Sequence, residues 1–223
     1  ITLDENGVAT ANTDLPFGSY YVKEIATDEH YILSDTQYPF TFKYAGQDTE
    51  TVEIKVNDGK PIENKLIYGS VSGKKIDENG EALGGALIGI FKADETEFTK
   101  EHAIMTATSE KDGSFSFAKV PYGKWIVREI EAPEGFVLDD ASYEVNINEN
   151  EQVIEVEIVN EYIHGNIELT KVDADYPDNK LTGATFEVYK DVNGDGKLDD
   201  GDELIGNLEE TSTGIYEMKE LLY

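Results

Sequence analysis

Cysteine is absent from the chain, which removes disulfide bonds and thiol chemistry and leaves the compartment open. Basic residues are scarce: 18 Lys and Arg stand against 47 Asp and Glu, a formal net charge of −29 over 223 residues. Such a charge repels nucleic acid and anionic lipid alike, which argues against a polyanion-binding role. Long apolar runs are missing as well. No stretch approaches a membrane span and no charged-then-apolar leader opens the chain, so neither membrane insertion nor a signal peptide is expected within these residues. No helix-period segment is found, and no Gly/Ser-rich or Pro-rich linker. The only histidines, His30, His102 and His164, have no serine or carboxylate at nucleophile-elbow spacing and read as surface residues. Glu129 and Glu131 are neighbours on one short strand with no cleft signal around them, which argues against a glycosidase. An enzyme acting on an external substrate is not expected.

What remains is β-structure. Hydrophobic residues make up 39% of the chain, enough to fill cores, and they sit in short alternating runs. The middle of the chain reads as seven strands, near 69–77, 86–93, 103–109, 113–119, 124–131, 142–148 and 152–160, which suggests a sandwich. The breaks between them carry turn chemistry, at Asp77 to Gly80, Lys111 to Gly113, Pro121 to Gly123 and Pro133 to Gly135.

The same signposts recur at a domain-sized period. Asn64 lies eleven residues before Lys75, and Asn160 lies eleven before Lys171. Leu83-Gly-Gly85-Ala86 returns as Leu181-Thr-Gly183-Ala184, and Pro16-Phe-Gly18-Ser-Tyr20-Tyr-Val22-Lys-Glu24-Ile25 returns as Pro121-Tyr-Gly123-Lys-Trp125-Ile-Val127-Arg-Glu129-Ile130. A repeat of about a hundred residues means tandem domains, not a solenoid of small units. The expected organisation is the C-terminal part of one domain over 1–68, a complete domain over 69–164 and the N-terminal part of a third over 165–223. The connectors, 65–68 and 161–164, are short, so a stiff array is expected.

Three strands of the complete domain each place one polar residue on an otherwise apolar face. Alternation groups Val71 and Gly73 with Lys75, Trp125 and Val127 with Glu129, and Ile154, Val156 and Ile158 with Asn160. Burial disfavours the lysine cation and the glutamate anion, leaving a nucleophilic amine beside a protonated acid. That acid can donate to the Asn160 carbonyl oxygen and relay protons while ammonia leaves, joining Lys75 to Asn160 through an amide. Lys74 is the wrong-face neighbour. The alternative is a buried Lys75–Glu129 ion pair beside a hydrogen-bonded asparagine.

At these residues the chain resembles the B-type repeat domains of Gram-positive collagen adhesins and pilins, the SpaA-like or Cna protein B-type family. The run Trp125-x-Val127-x-Glu129-Ile-Glu-Ala132-Pro133-Glu-Gly135-Phe136 is similar to that family's E-box. The resemblance implies an all-β fold of tandem Ig-like, prealbumin-like β-sandwich domains. It implies Lys75 as the amine, Asn160 as the acceptor amide and Glu129 as the catalytic acid of an isopeptide bond. Gly73, Trp125 and Ile130 depart from the family's usual apolar residue, tyrosine and threonine, and the first domain's E-box degenerates after Glu24. The resemblance further implies an extracellular, cell-wall-anchored location on a Gram-positive bacterium, although the Leu-Pro-x-Thr-Gly sorting motif does not occur in these residues.

A second motif follows in the last domain, from Asp191 through Asn193, Asp195, Gly196, Lys197 and Asp199 to Asp202. Oxygen ligands at positions 1, 3, 5 and 9, glycine at 6 and a backbone carbonyl at 7 follow the calcium-loop pattern. Asp202 holds position 12, where a bidentate glutamate is usual. Strands on both sides make this a calcium loop between strands, or else an acidic, glycine-rich turn.

The ends read as incomplete domains. Residues after Gly165 supply Lys171 but reach Tyr223 before any E-box glutamate, whereas residues before 69 supply Glu24 and Asn64 without an upstream lysine strand. The expected explanation is a window from a longer array. With these ends as they stand, Lys171 of one copy would meet Asn64 of the next, with Glu24 as acid. The functional expectation is a structural stalk whose partners are neighbouring domains of its own chain, with host contacts made elsewhere. A module binding host matrix protein or glycan is the alternative, signalled by an exposed aromatic cluster or a groove.

Overall fold

In the computed structural model, which describes residues 5–7 and 15–222, the chain divides into two units. Tyr223 lies outside the described residues. One unit comprises Ile1–Ser70, Ala118–Lys124 and Asn146–Ile154; the other comprises Val71–Phe117, Trp125–Val145 and Glu155–Tyr223.

Strands β1 (Gly18–Lys23) and β2 (Gln37–Phe42) of the first unit form an antiparallel hairpin in which Tyr20 faces Phe40. Their rings stack with centroids 5.5 Å apart, the kind of cross-strand pair that stabilises a sheet. The connector 65–68 is bonded along its length. Ile67 N–H donates to the His30 carbonyl, Tyr122 N–H to the Ile67 carbonyl and Glu151 N–H to the Tyr68 carbonyl, at 2.8, 3.1 and 2.7 Å. The His30 and Tyr122 rings meet edge-on at 4.8 Å.

All seven strands expected in the middle of the chain are present: β3 (Tyr68–Asp77), β4 (Leu87–Lys92), β5 (Met105–Thr108), β6 (Ser114–Pro121), β7 (Gly123–Glu131), β8 (Tyr143–Ile147) and β9 (Val153–Asn160). They form two sheets, in orders β6-β3-β9 and β5-β4-β7-β8. This is an all-β sandwich. Val71, Ile88, Ile90, Phe117, Val127 and Ile158 are buried, as alternation along each strand requires, whereas β4 also buries Phe91 on its other face. One turn is tied down by Asp77, whose Oδ1 accepts the N–H groups of Asn79 and Glu81 and whose Oδ2 accepts the Tyr162 hydroxyl at 2.6 Å. The Tyr162 hydrogen bond, more than any other, holds the Asp77 carboxyl below its ordinary value of 3.8. A depressed carboxylate stabilises the fold above that value, and the contribution is lost as pH falls through the lowered one. Tyr162→Phe is therefore expected to lower the melting temperature at neutral pH by an amount that shrinks on acidification below 3.8, measured by thermal melts across pH.

The last domain contains β10 (His164–Thr170), β11 (Glu187–Lys190), β12 (Glu203–Asn207), β13 (Glu209–Ser212) and β14 (Ile215–Leu222), in sheets β10-β14-β13 and β11-β12. The loop around Gly183 repeats the hydrogen bonds made around Gly85. Ser109 Oγ accepts the Ala86 N–H and donates to the Leu83 carbonyl; the Tyr216 hydroxyl does the same for Ala184 and Leu181. Gly85 and Gly183 adopt φ of 95° and 75° between those two anchor points, a conformation glycine enters without strain. The recurring Leu-x-Gly-Ala signature is thus a loop clamped by a hydroxyl, supplied each time by a different residue.

A buried lysine, acid and amide form the candidate site

The three polar residues singled out by alternation converge. β3 is the middle strand of its sheet and brings Lys75 inward; β9, its neighbour, brings Asn160; β7 brings Glu129 from the other sheet, paired through Ile88 of β4. Relative exposures of Lys75, Glu129 and Asn160 are 0%, 1% and 1%, so all three lie in a dry core. Glu129 bridges the other two. Its Oε1 lies 3.7 Å from Lys75 Nζ, and its Oε2 accepts Asn160 Nδ2 at 2.7 Å. Lys74, one residue away, faces out and donates to the Asp112 carbonyl at 3.0 Å.

Backbone groups complete the setting. Lys75 Nζ donates to the Ile158 carbonyl at 3.2 Å, the Asp139 N–H donates to Glu129 Oε2 at 2.8 Å, and Asn160 Nδ2 donates also to the Val137 carbonyl. Alternation does not reveal these partners. The signal available was spacing: Asp139 follows Glu129 by ten residues, as Ser34 follows Glu24. The Val137 carbonyl has a second consequence. It demands a donor from Asn160, so the amide presents Nδ2 rather than its carbonyl oxygen to Glu129, the reverse of the expected donation from acid to carbonyl. Asn160 Oδ1 and Glu129 Oε1 are left buried without a hydrogen-bond partner. Such orphans cost about 1–3 kcal/mol each and are rare enough in native cores to require a reason.

Electrostatics follow from burial. Desolvation pushes the Lys75 amine down from its ordinary value, against the opposing negative charges of Glu129 and Asp139. Desolvation pushes the Glu129 carboxyl up, against the hydrogen bonds from Asn160 and the Asp139 N–H. Both shifts favour the uncharged forms, which narrows the gap between the ammonium–carboxylate and amine–acid states of the pair.

In the first unit the acid and amide meet again. Glu24 Oε2 accepts Asn64 Nδ2 at 2.8 Å and the Ser34 N–H at 3.0 Å, and Asn64 donates to the Ile32 carbonyl at 3.0 Å. Bond for bond this matches Glu129, Asn160, Asp139 and Val137, despite the degenerate E-box after Glu24. Both side chains are half-buried. Lys171 lies in the other unit, where its N–H and carbonyl bond Gly214 and Leu181 as those of Lys75 bond Gly113 and Leu83.

The 191–202 loop is exposed and closed by its own bonds. Asp191 accepts the N–H groups of Gly194, Asp195 and Gly196; Asn193 Nδ2 donates to Asp199 Oδ2; Asp195 accepts the Lys197 N–H; and Asp202 accepts those of Val192 and Asp199. The donors are the hard oxygens that calcium prefers. Among the described residues, however, no three His, Cys, Asp or Glu side chains converge as a metal cluster.

The family described as SpaA, a prealbumin-like fold domain, matches residues 1–60 and 69–162. No curated protein matches the chain. Among solved structures, the TIE protein of Bacillus anthracis superposes over 99% of this chain with a TM-score of 0.69 at 25% identity, and the chain spans 37% of that protein's length. A streptococcal ancillary pilin matches over 94% of this chain and 64% of its own, with a TM-score of 0.40 at 23% identity. The major pilin subunit BcpA of Bacillus cereus matches over 48% of this chain and 31% of its own, with a TM-score of 0.37 at 24% identity.

Proposed function

Because the chain belongs to the SpaA family of prealbumin-like fold domains, we propose that it is a stalk segment of a cell-wall-anchored Gram-positive adhesin or pilus, locked by an autocatalytic Lys75–Asn160 amide. The observation that carries this reading is the single carboxyl of Glu129 set between Lys75 Nζ and Asn160 Nδ2 in a dry core. Oε1 takes a proton from the ammonium, giving a neutral amine and a neutral acid. Nζ then attacks Asn160 Cγ. As the Nζ–Cγ bond forms and the Cγ–Nδ2 bond breaks, Nζ gives up one proton, Nδ2 gains one through Glu129, and ammonia leaves. Glu129 ends as the neutral acid it was before attack, so the reaction is intramolecular and turns over once. Joining neighbouring strands β3 and β9 covalently stops a pull along the chain from peeling them apart, which is what a stalk under shear requires. Intact mass under denaturing conditions tests it: one missing ammonia supports the amide, and an unshifted mass leaves a buried ion pair.

Calcium at the 191–202 loop forms part of the same reading for the last domain. Asp191, Asn193, Asp195, Asp199 and Asp202, with the Lys197 carbonyl, would hold the ion, and the Asn193–Asp199 hydrogen bond would have to give way. After chelation, calorimetric titration with calcium is expected to show heat, and the last domain to melt higher with calcium than without it. Absence of both reduces the loop to an acidic turn.

The ligand-binding alternative has one observation in its favour. Phe17, Tyr21 and Tyr44 are exposed in the first unit, and the Phe17 ring contacts those of Phe42 and Tyr44. Binding of host matrix protein or glycan, lost on Phe17→Ala and Tyr44→Ala, would favour that reading.

A further inference from the structure

Glu129 is held from a side that the cross-linking reaction leaves unused. The Asp139 N–H donates to Oε2, the oxygen that also receives Asn160. The Asp139 carboxylate is itself fixed: Oδ1 accepts the Ala141 N–H at 2.9 Å, and Oδ2 accepts the Tyr143 hydroxyl at 2.7 Å. Tyr143 stands on β8, beside β7 in the same sheet, and is half-buried. In the first unit the corresponding residue is Ser34, whose N–H binds Glu24 in the same way but whose side chain carries no charge. The N–H contact therefore belongs to the loop shared by both domains. Of these two loops, only that of the middle domain carries the clamped carboxylate.

We propose that Asp139, clamped by Tyr143, is a positioning residue of the cross-linking site, holding Glu129 through its N–H and setting a fixed negative charge beside Glu129 and Lys75. This inference rests on the reading of Lys75, Glu129 and Asn160 as a cross-linking triad. The ionisable groups around Asp139 are Lys75 from β3, Glu129 from β7 and Tyr143 from β8, with Glu157 of β9 adding negative charge near the Tyr143 phenol. The Asp139 charge strengthens the hold of both Lys75 and Glu129 on their protons.

A definite sign follows. The reactive pair has net charge zero, as ammonium with carboxylate or as amine with acid. One proton more gives an ammonium beside a neutral acid, and one fewer gives an amine beside a carboxylate. Neither extra state reacts. A fixed negative neighbour favours the proton-rich member at both steps, so it displaces both limbs of the rate–pH profile upward. Removing it displaces both downward, whichever microstate dominates.

The full chain, isolated in denaturant before folding, is refolded at a series of pH values, quenched and weighed, so that the fraction lacking ammonia gives a rate. Asp139→Asn and Asp139→Ser keep the backbone N–H, the latter copying the first unit's own residue. Both are expected to move the two limbs about half a pH unit lower, speeding the reaction about threefold on the acid limb. Asp139→Glu restores the charge and is expected to move the limbs back toward wild type. If wild type reacts and neither neutral variant shifts the profile, Asp139 is only a loop residue and the inference is overturned alone. A wild-type chain that never loses ammonia overturns the cross-link and this inference together.

Discussion

Glu129→Gln is expected to give a folded chain that keeps its full sequence mass, where wild type falls one ammonia short, and that unfolds at much lower denaturant. Glutamine fits the space and can still accept from Asn160 Nδ2 and the Asp139 N–H, but it cannot take a proton from Lys75. The amide then does not form. Its absence returns roughly 4–5 kcal/mol of unfolded-chain entropy, by analogy with a disulfide closing a loop of that length. A second loss adds to the first, because the unreacted Lys75 amine stays fully buried where the wild type holds a neutral amide, and it no longer has the Glu129 carboxylate beside it. Lys74→Ala separates chemistry from general surface effects, since Lys74 faces out on the same strand and its replacement should leave the one-ammonia deficit and the midpoint unchanged. A glutamine variant that still loses ammonia would remove Glu129 from the reaction.

Gly73→Ala is expected to destabilise the middle domain by about 1–3 kcal/mol or more without touching a reacting group. Gly73 lies two residues before Lys75 on the same inward face. A Cβ there would run into the Phe115 ring and the Val156 carbonyl, so the aromatic ring occupies the volume that an apolar side chain on β3 would fill. Phe115 is 5% exposed and packs against Phe117, with ring centroids 6.2 Å apart, which leaves it little room to retreat. Cores are packed too densely to absorb such an overlap without moving backbone. Denaturant unfolding of the variant checks the cost. Unchanged stability would mean that Phe115 relaxes freely and that Gly73 is a matter of composition rather than packing.

Period-2 alternation made most of the middle domain legible, because a strand with one face in a core must sort its residues by face. Val71 and Lys75, Val127 and Glu129, and Ile158 and Asn160 are all buried as that sorting demands. Turn residues were equally plain: Gly80, Gly113, Gly123 and Gly135 all have positive φ. Alternation is silent about backbone carbonyls and N–H groups, so the roles of Ile158, Val137 and Asp139 were invisible, and with them the orientation of the Asn160 amide. Gly73 read as a departure from the family pattern because its compensation, Phe115, comes from another strand. The hydroxyl clamp over Leu83 and Ala86 was hidden for the same reason: Ser109 in one domain and Tyr216 in the other occupy no common position in the repeat. Local pattern specifies which way a residue faces, whereas what it meets there depends on partners distant in sequence.

The covalent bond between Lys75 Nζ and Asn160 Cγ can be read by tandem mass spectrometry of the trypsin-digested wild-type protein. One branched peptide is expected, joining the segment around Lys75 to the segment around Asn160, uncut after Lys75 and one ammonia lighter than its two parts together. Recovery of both segments as separate linear peptides, with cleavage after Lys75, would contradict it.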